Sequence, residues 1–271
     1  MTRAAGQLAD GRGALRPERP RRSWALPIAL LIFAVITTWA LLGLGADLPR
    51  ILRSLRQGGK VLGELWPPDL GFFGVTVEPL IETFQMALLA TAIGCAAALP
   101  IAFLASRISA FGSLSFYADR TVLSVVRSIP DILWALIFVA ALGVGPLPGI
   151  LALILFNIGI VAKLLSETVD GIDPGPIEAA RATGARHTQV VWTSVLPQVL
   201  PNYVAYTLYT FELNIRASAV LGFVGAGGIG LVLDTQRKFF KYDNVSMVIL
   251  ELFVMVVVIE FISERLRRRL T

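Results

Sequence analysis

The sequence predicts an all-α, polytopic membrane protein of about six transmembrane helices, and three observations point there. Of its 271 residues 55% are hydrophobic and only 16% charged, where a soluble domain carries about 25% charged residues. The mean hydropathy is +0.71. Apolar runs long enough to cross a bilayer recur along the chain, separated by short polar or proline-rich stretches.

Residues 1–23 hold Arg3, Arg12, Arg16, Arg19, Arg21 and Arg22 against Asp10 and Glu18, and read as a basic cytoplasmic tail. The run 24–46 reads as a first, retained span. Its length and the lack of a convincing cleavage site argue against a signal peptide. Within 47–82, Ile51, Leu52, Leu55, Leu62 and Leu65 oppose Arg50, Arg53, Arg56 and Lys60. That pattern predicts a short interfacial helix on the outer side, ended by Trp66-Pro67-Pro68 and followed by a turn over 71–74.

The transmembrane core is expected over 83–262. A second span over 84–105 is bent by Pro100. A loop over 106–120 precedes a third span over 122–144, with Pro130 inside it. Gly145-Pro146-Leu147-Pro148-Gly149 reads as a tight turn before a fourth span over 150–165. A polar segment over 166–189 contains Pro174-Gly175-Pro176. The fifth span is placed over 190–215, with Pro197 expected to break the helix just before the chain re-enters lipid. Residues 219–233 are apolar but short and glycine-rich, which suggests a re-entrant segment. A polar loop with Arg237, Lys238 and Lys241 leads to a last span over 245–262 and a basic tail over 263–271. Six spans with both termini cytoplasmic agree with the positive-inside rule at the N-terminus, the 106–120 loop and the C-terminus; the 234–243 loop departs from it.

Several functions are excluded. Cys95 is the only cysteine and His187 the only histidine, which disfavours a disulfide, zinc or haem chemistry. The net charge of +5 reflects arginines at the termini, where they set topology, so no nucleic-acid partner is implied. There is no Gly-x-x-x-x-Gly-Lys-Ser/Thr phosphate loop and no nucleophile–base constellation, so the chain is not expected to be an enzyme or to bind a cofactor itself.

The most informative stretch is the polar segment. Glu178-Ala179-Ala180 is followed after three residues by Gly184, and further on by Leu196-Pro197. Small residues admit a partner surface, and Glu178 adds a directional charge. Gly225, Gly227, Gly228 and Gly230 superficially match a dinucleotide fingerprint, but no strand precedes them. They read either as a flexible outer segment or as close helix packing. Arg127 with Asp131 and Glu212 with Arg216 are spaced to neutralise one another on a helix face. Alternatively, charged groups inside spans face a water-filled path. Lys163, Glu167 and Glu260 read as snorkelling or paired groups near span ends, Glu251 as paired with another helix, and His187 as a surface residue.

The Glu-Ala-Ala, Gly and Leu-Pro spacing resembles the EAA loop of ABC importer permeases, with Ser194 where that family usually has isoleucine. Arg127-Ser128-Ile129-Pro130-Asp131-Ile132-Leu133-Trp134-Ala135-Leu136 and Glu212-Leu213-Asn214-Ile215-Arg216-Ala217-Ser218, leading into the glycine stretch, resemble phosphonate and phosphate importer permeases. Together these motifs span most of 82–262. The resemblance implies a type I, MetI-like permease fold in the inner membrane and uptake of phosphonate- or phosphate-type oxyanions. It implies partners as well: two ATPase subunits carrying ATP and Mg, a periplasmic or lipid-anchored solute-binding protein, a second copy of the chain, and membrane lipid. Glu178, Ala179, Ala180, Gly184, Leu196 and Pro197 would couple to the ATPase. Arg127 and Arg216, with Ser128, Asn214 and Ser218 as donors, would line the path, since arginine suits an oxyanion. A permease for methionine or a metal chelate is the nearest rival. An ion-gradient transporter would show inverted repeats with paired broken helices, and no internal repeat is visible. A plain membrane anchor would leave the polar segment without purpose.

Overall fold

The computed structural model describes residues 24–45, 48–109 and 112–268. The tail expected over 1–23 lies outside the described residues, as do the last three positions of the tail expected over 263–271. The described residues are organised as helices with no strand among them, in agreement with the all-α expectation. The chain divides into two units, residues 1–60 and 61–271.

In the first unit, α1 (Ala25–Gly43) is 19 residues of almost purely apolar sequence. At 1.5 Å per residue it is about 28 Å long, the thickness of a bilayer core. It is followed by α2 (Leu48–Glu64), which carries Arg53, Arg56 and Lys60 opposite Leu55 and Leu62. This is the pattern of a helix lying along an interface.

The second unit differs from expectation at almost every boundary. A 3₁₀ turn, Leu70–Phe72, is capped by the Asp69 carboxylate, which accepts from the Gly71 N–H. It leads straight into α3 (Phe73–Leu104), which runs through Pro79 and Pro100. The span expected to start at 84 therefore starts at 73. Glu78, Pro79 and Glu82 suggest a loop in sequence, yet Glu82 finds a partner on a neighbouring element and the helix continues. The expected loop over 106–120 is mostly helix, because α4 (Ser113–Ser128) begins within it. The third span is not one rod: α4 and α5 (Asp131–Leu142) meet at 83°. Pro130 lacks an N–H and pushes Ile129 into extended backbone (φ −95°, ψ 120°), which ends α4.

The expected turn over 145–149 is instead the start of α6 (Pro146–Asp170), with proline at its favoured first position. Next come α7 (Gly175–Ala182) and α8 (His187–Val190), a π turn over Val191–Val195, and α9 (Leu196–Leu221). Pro197 does not break this path. It sits in the first turn of α9, where a missing N–H costs little. The π turn hands one helix to the next, with the Leu196 N–H bonded to the Val191 carbonyl. After a 3₁₀ turn over Gly222–Val224, α10 (Gly228–Lys238) is set at 46° to the preceding path. The last helix, α11 (Tyr242–Arg267), takes in most of the described part of the expected tail. Arg265 and Arg267 in its last turn oppose the negative end of the helix dipole.

Among the described residues four helices are long and apolar enough to cross a membrane, or six spans if each bent pair counts as one. The second unit is organised about α3. Ala87, Ala90, Gly94, Ala98 and Ala102 recur every three or four residues on its buried face. A Cβ on Gly94 would stand 2.6 Å from Asn157 Cβ on α6, so small residues set the helix spacing here.

Candidate functional site

The polar segment forms an elbow between α6 and α9, fastened at both ends. At its entrance, Asp170 closes α6 and collects three donors. They are Ser106 Oγ at 2.7 Å, the Arg107 N–H at 2.7 Å and the Arg120 guanidinium at 3.0 Å. Arg120 also donates to the Ala105 carbonyl and lies 4.5 Å from the Phe116 ring centroid. The end of α6, the chain just past α3 and the middle of α4 are thereby tied to one carboxylate. At the exit, Ser194 Oγ donates to the Pro176 carbonyl at 3.1 Å, and Gln198 Nε2 donates to Ser194 O at 2.7 Å. His187 Nε2 lies 2.9 Å from the Ser109 carbonyl, so this histidine is a tie to the α3–α4 loop. Ser194 thus fastens the exit of the elbow through its hydroxyl.

Within the elbow the motif residues play different parts. Glu178 and Ala179 are exposed in the first turns of α7, with the carboxylate near the helix N-terminus, where a negative charge is favoured. Ile177 is buried and Ala180 packs on the same cluster, which includes Ala102, Leu165, Val169 and Val195. Gly184 has φ +79°. Its N–H bonds Arg181 O while the Ala185 N–H bonds Ala180 O, the paired bonds of a glycine-terminated helix. Gly184 therefore ends α7, and the space where its Cβ would stand is open. Leu196 is half-buried and Pro197 exposed at the start of α9. The face left open on α7 comprises Glu178, Ala179, Arg181 and Ala182.

The five residues expected along a path do not share one surface. Arg127 and Ser128 are exposed at the end of α4. Arg127 does not pair with Asp131, which lies beyond the bend and accepts from its own neighbour, the Ile132 N–H, at 2.9 Å. Its aliphatic stem lies over Gly159, where an added Cβ would stand 2.8 Å from Arg127 Cγ. A cleft of about 260 Å³ opens here, lined by Arg127, Pro130, Asp131, Trp134, Phe156 and Gly159 among others. Ser128 Oγ donates to Val125 O at 2.7 Å. Trp134 Nε1 reaches Val126 O at 3.4 Å, the carbonyl that a residue-130 N–H would have taken.

On α9, Arg216 is exposed while Asn214 and Ser218 are buried. Asn214 Nδ2 donates to Thr91 Oγ1 at 2.7 Å, and Ser218 Oγ donates to Asn214 O at 2.6 Å. Asn214 serves the α3–α9 contact in this conformation, and Ser218 bonds back within α9. Glu212 pairs with Arg267 of α11 at 2.9 Å; the expected Glu212–Arg216 pair is absent among the described residues.

The glycine stretch is likewise packed, which favours the close-packing alternative over an open outer segment. Gly225 and Gly227 form the turn, and Gly228 and Gly230 start α10. A Cβ on Gly230 would stand 2.0 Å from Ala219 O, and one on Gly222 2.4 Å from Gly230. The N–H groups of Gly228 and Ile229 are capped from α3, by Glu82 Oε2 at 3.2 Å and Thr83 Oγ1 at 2.8 Å.

Sequence reasoning missed the Asp170 clamp, the Trp134 bridge and Asn157, whose Nδ2 donates to Ala90 O at 2.8 Å. A lone acid closing an apolar run was the available signal for Asp170. Glu251 finds its partner in Thr76, whose Oγ1 donates to Glu251 Oε1 at 2.6 Å. Lys163 and Glu167 pair on α6 at 2.7 Å.

Residues 98–271 match the family described as binding-protein-dependent transport system inner membrane component. The chain is 38% identical over 89% of its length to the phosphite transport system permease protein PtxC of Stutzerimonas stutzeri, covering 87% of that protein. It is 38% identical over 75% of its length to the phosphate-import permease protein PhnE of Mycolicibacterium smegmatis, covering 38% of that protein. Among solved structures, a chain of the inward-facing MetNI methionine ABC transporter superposes with a TM-score of 0.66. That match has 24% identity and covers 75% of this chain and 99% of the other.

Proposed function

Because this chain belongs to the family of binding-protein-dependent transport system inner membrane components, we propose that it is the permease subunit of an ATP-driven importer of phosphite-, phosphonate- or phosphate-type oxyanions. The likeness to PtxC over nearly the whole chain carries the reading of the cargo. The fastened elbow supports the reading of the mechanism. An ATPase subunit, holding ATP and Mg, takes the open face of α7 at Glu178, Ala179 and Arg181. Closure of two ATPase subunits on ATP moves two elbows, one from each of two copies of this chain about a twofold axis. The Asp170 clamp and the Ser194 bond pass that movement to α3, α4, α6 and α9, and the spans rock between inward-open and outward-open states.

The elbow and both termini face the cytoplasm in this reading, and a solute-binding protein delivers cargo on the opposite side of the inner membrane. Arg127 and Arg216, the exposed cations of the two resembling motifs, attract the anion on its way.

Reconstitution with the ATPase and the binding protein, comparing ATP hydrolysis and uptake across phosphite, phosphonate, phosphate and methionine, tests this directly. Uptake is expected with the phosphorus oxyanions. Glu178→Lys is expected to uncouple hydrolysis from uptake, and uptake that stays fully coupled overturns the docking assignment. Stimulation by methionine alone overturns the cargo.

A further inference from the structure

Helix α4 carries three distinct faces. Its packed face centres on buried Phe116 and Leu123, with half-buried Asp119, Arg120 and Val126 at its margins. At about 100° per residue, the exposed remainder splits into two strips. One strip is apolar: Leu114, Ala118, Val122 and Val125. The other is made wholly of hydroxyls: Tyr117, Thr121, Ser124 and Ser128, at successive spacings of four, three and four residues. Arg127 flanks the hydroxyl strip near its far end, between Ser124 and the packed face, with its stem over Gly159. No ion pair to Arg127 is found among the described residues.

The exposed face of α11 supplies the contrast. Ile249, Leu250, Phe253, Val254, Val257, Val258, Phe261 and Ile262 are the side chains of a helix that meets lipid, with Glu260 exposed among them toward the helix end. A hydroxyl strip on α4 has no reason to meet lipid. Thr121 Oγ1 donates to Tyr117 O, and Ser124 Oγ to Arg120 O, both at 2.7 Å. This back-bonding satisfies the hydroxyl protons but leaves the oxygen lone pairs open to water. Back-bonding does nothing for a guanidinium, which is expensive in hydrocarbon and faces a partner or an aqueous cavity.

We propose that the hydroxyl strip of α4, Tyr117, Thr121, Ser124 and Ser128, lines the aqueous lane down which a hydrated oxyanion passes from Arg127 toward the elbow. The inference rests on the importer reading and adds the residues of the lane. Arg127 supplies charge complementarity at its head. The hydroxyls supply a wet wall that holds the anion weakly enough for it to move on, and the apolar strip beside them seals against lipid or a neighbouring helix.

The test uses the assembled complex carrying Cys95→Ser, so that introduced cysteines are the only thiols on the permease. Single substitutions Thr121→Cys and Ser124→Cys probe the strip, and Val122→Cys and Val125→Cys the apolar side. The probe is an anionic methanethiosulfonate carrying a sulfonate, close in charge and size to the cargo. Reaction at 121 and 124 is expected about tenfold faster than at 122 and 125, a difference equivalent to about 1.4 kcal/mol of barrier. Thr121→Val with Ser124→Ala is expected to slow uptake several-fold while the ATPase still co-purifies. Three results overturn the lane: equal rates on the two sides, reaction at 121 and 124 only with a lipid-soluble maleimide, or efficient disulfide formation between two copies at 124 in place of labelling. Failure of the cargo reading looks different. The parent complex then imports no phosphorus oxyanion, while the labelling pattern still reports whether the strip is wet.

Discussion

Among the described residues two candidate spans are bent at a short break, one at Ile129–Pro130 and one at Gly225–Gly227, and the two breaks are built in opposite ways. At the proline break, the donor that α4 needs is covalently missing, and the loose carbonyls are met by side chains, Ser128 for Val125 and Trp134 for Val126. The bend is wide at 83°, bordered by a cleft of about 260 Å³ and by an exposed arginine. At the glycine break, the backbone itself closes the turn. Gly225 and Ala226 bond back to Gly222 and Leu221, and Gly145 bonds to Gly225. The emerging N–H groups of α10 are capped by Glu82 and Thr83, and Ala226 to Gly230 are all buried. A proline break leaves polar groups that side chains or water must satisfy. A glycine break permits an approach so close that no room remains for either. In the proposed importer the first break would meet cargo and the second would transmit force without yielding.

The largest effect is expected where the second break is tightest. Gly230→Ala places a Cβ 2.0 Å from the Ala219 carbonyl and forces α9 and α10 apart. Overpacking costs about 1–3 kcal/mol where flexible side chains give way, and here the obstacle is backbone. Loss of monodisperse complex in detergent is expected, measured by size-exclusion chromatography. A well-behaved Gly230→Ala complex would break the comparison, because the crossing would then be shown to yield. Thr83→Val is expected to act less severely. It keeps the shape and removes the oxygen that accepts from the Ile229 N–H, leaving a buried donor unsatisfied at about 1–3 kcal/mol. A clearly lowered midpoint of thermal inactivation, with uptake at low temperature retained, is the expected outcome.

The contrast between the breaks was only half legible in the sequence. Pro130 was visible inside what read as one span, and the glycines admitted either flexibility or close approach, because both act through local backbone chemistry. Hydropathy likewise found six apolar segments, although Glu78 and Glu82 hid the first turns of α3 and Asp119 and Arg120 hid the start of α4. A charged residue reads as loop until its partner is known, and the partners here come from elsewhere in the chain, as with Glu82 for Gly228, Asp170 for Arg120 and Thr76 for Glu251. Spacing on one helix misled for the same reason. Glu212 stands one turn from Arg216 and yet binds Arg267, because α11 brings Arg267 to the buried Glu212 while Arg216 stays exposed. The coupling motif showed its location but not its division of labour. That Gly184 ends α7 while Ala180 packs inward requires the backbone torsions and the cluster beneath.

The smallest expected effect belongs to the proline break and tests how it is held. Trp134→Phe keeps an aromatic ring beside Phe138 and removes only the indole N–H that reaches Val126 O. At 3.4 Å this is a weak bond, so its loss is expected to cost about 0.5–1 kcal/mol at most. The freed carbonyl sits at the mouth of the cleft beside Arg127, where water can take the donor's place. Thermal stability is therefore expected to fall only slightly, well short of the loss on Thr83→Val, which removes two hydrogen bonds and leaves the buried Ile229 N–H unmet. The same stability assay on both variants decides the matter. Equal losses would mean that the proline break is as dry and as closed as the glycine one, and the division of roles between them would fail.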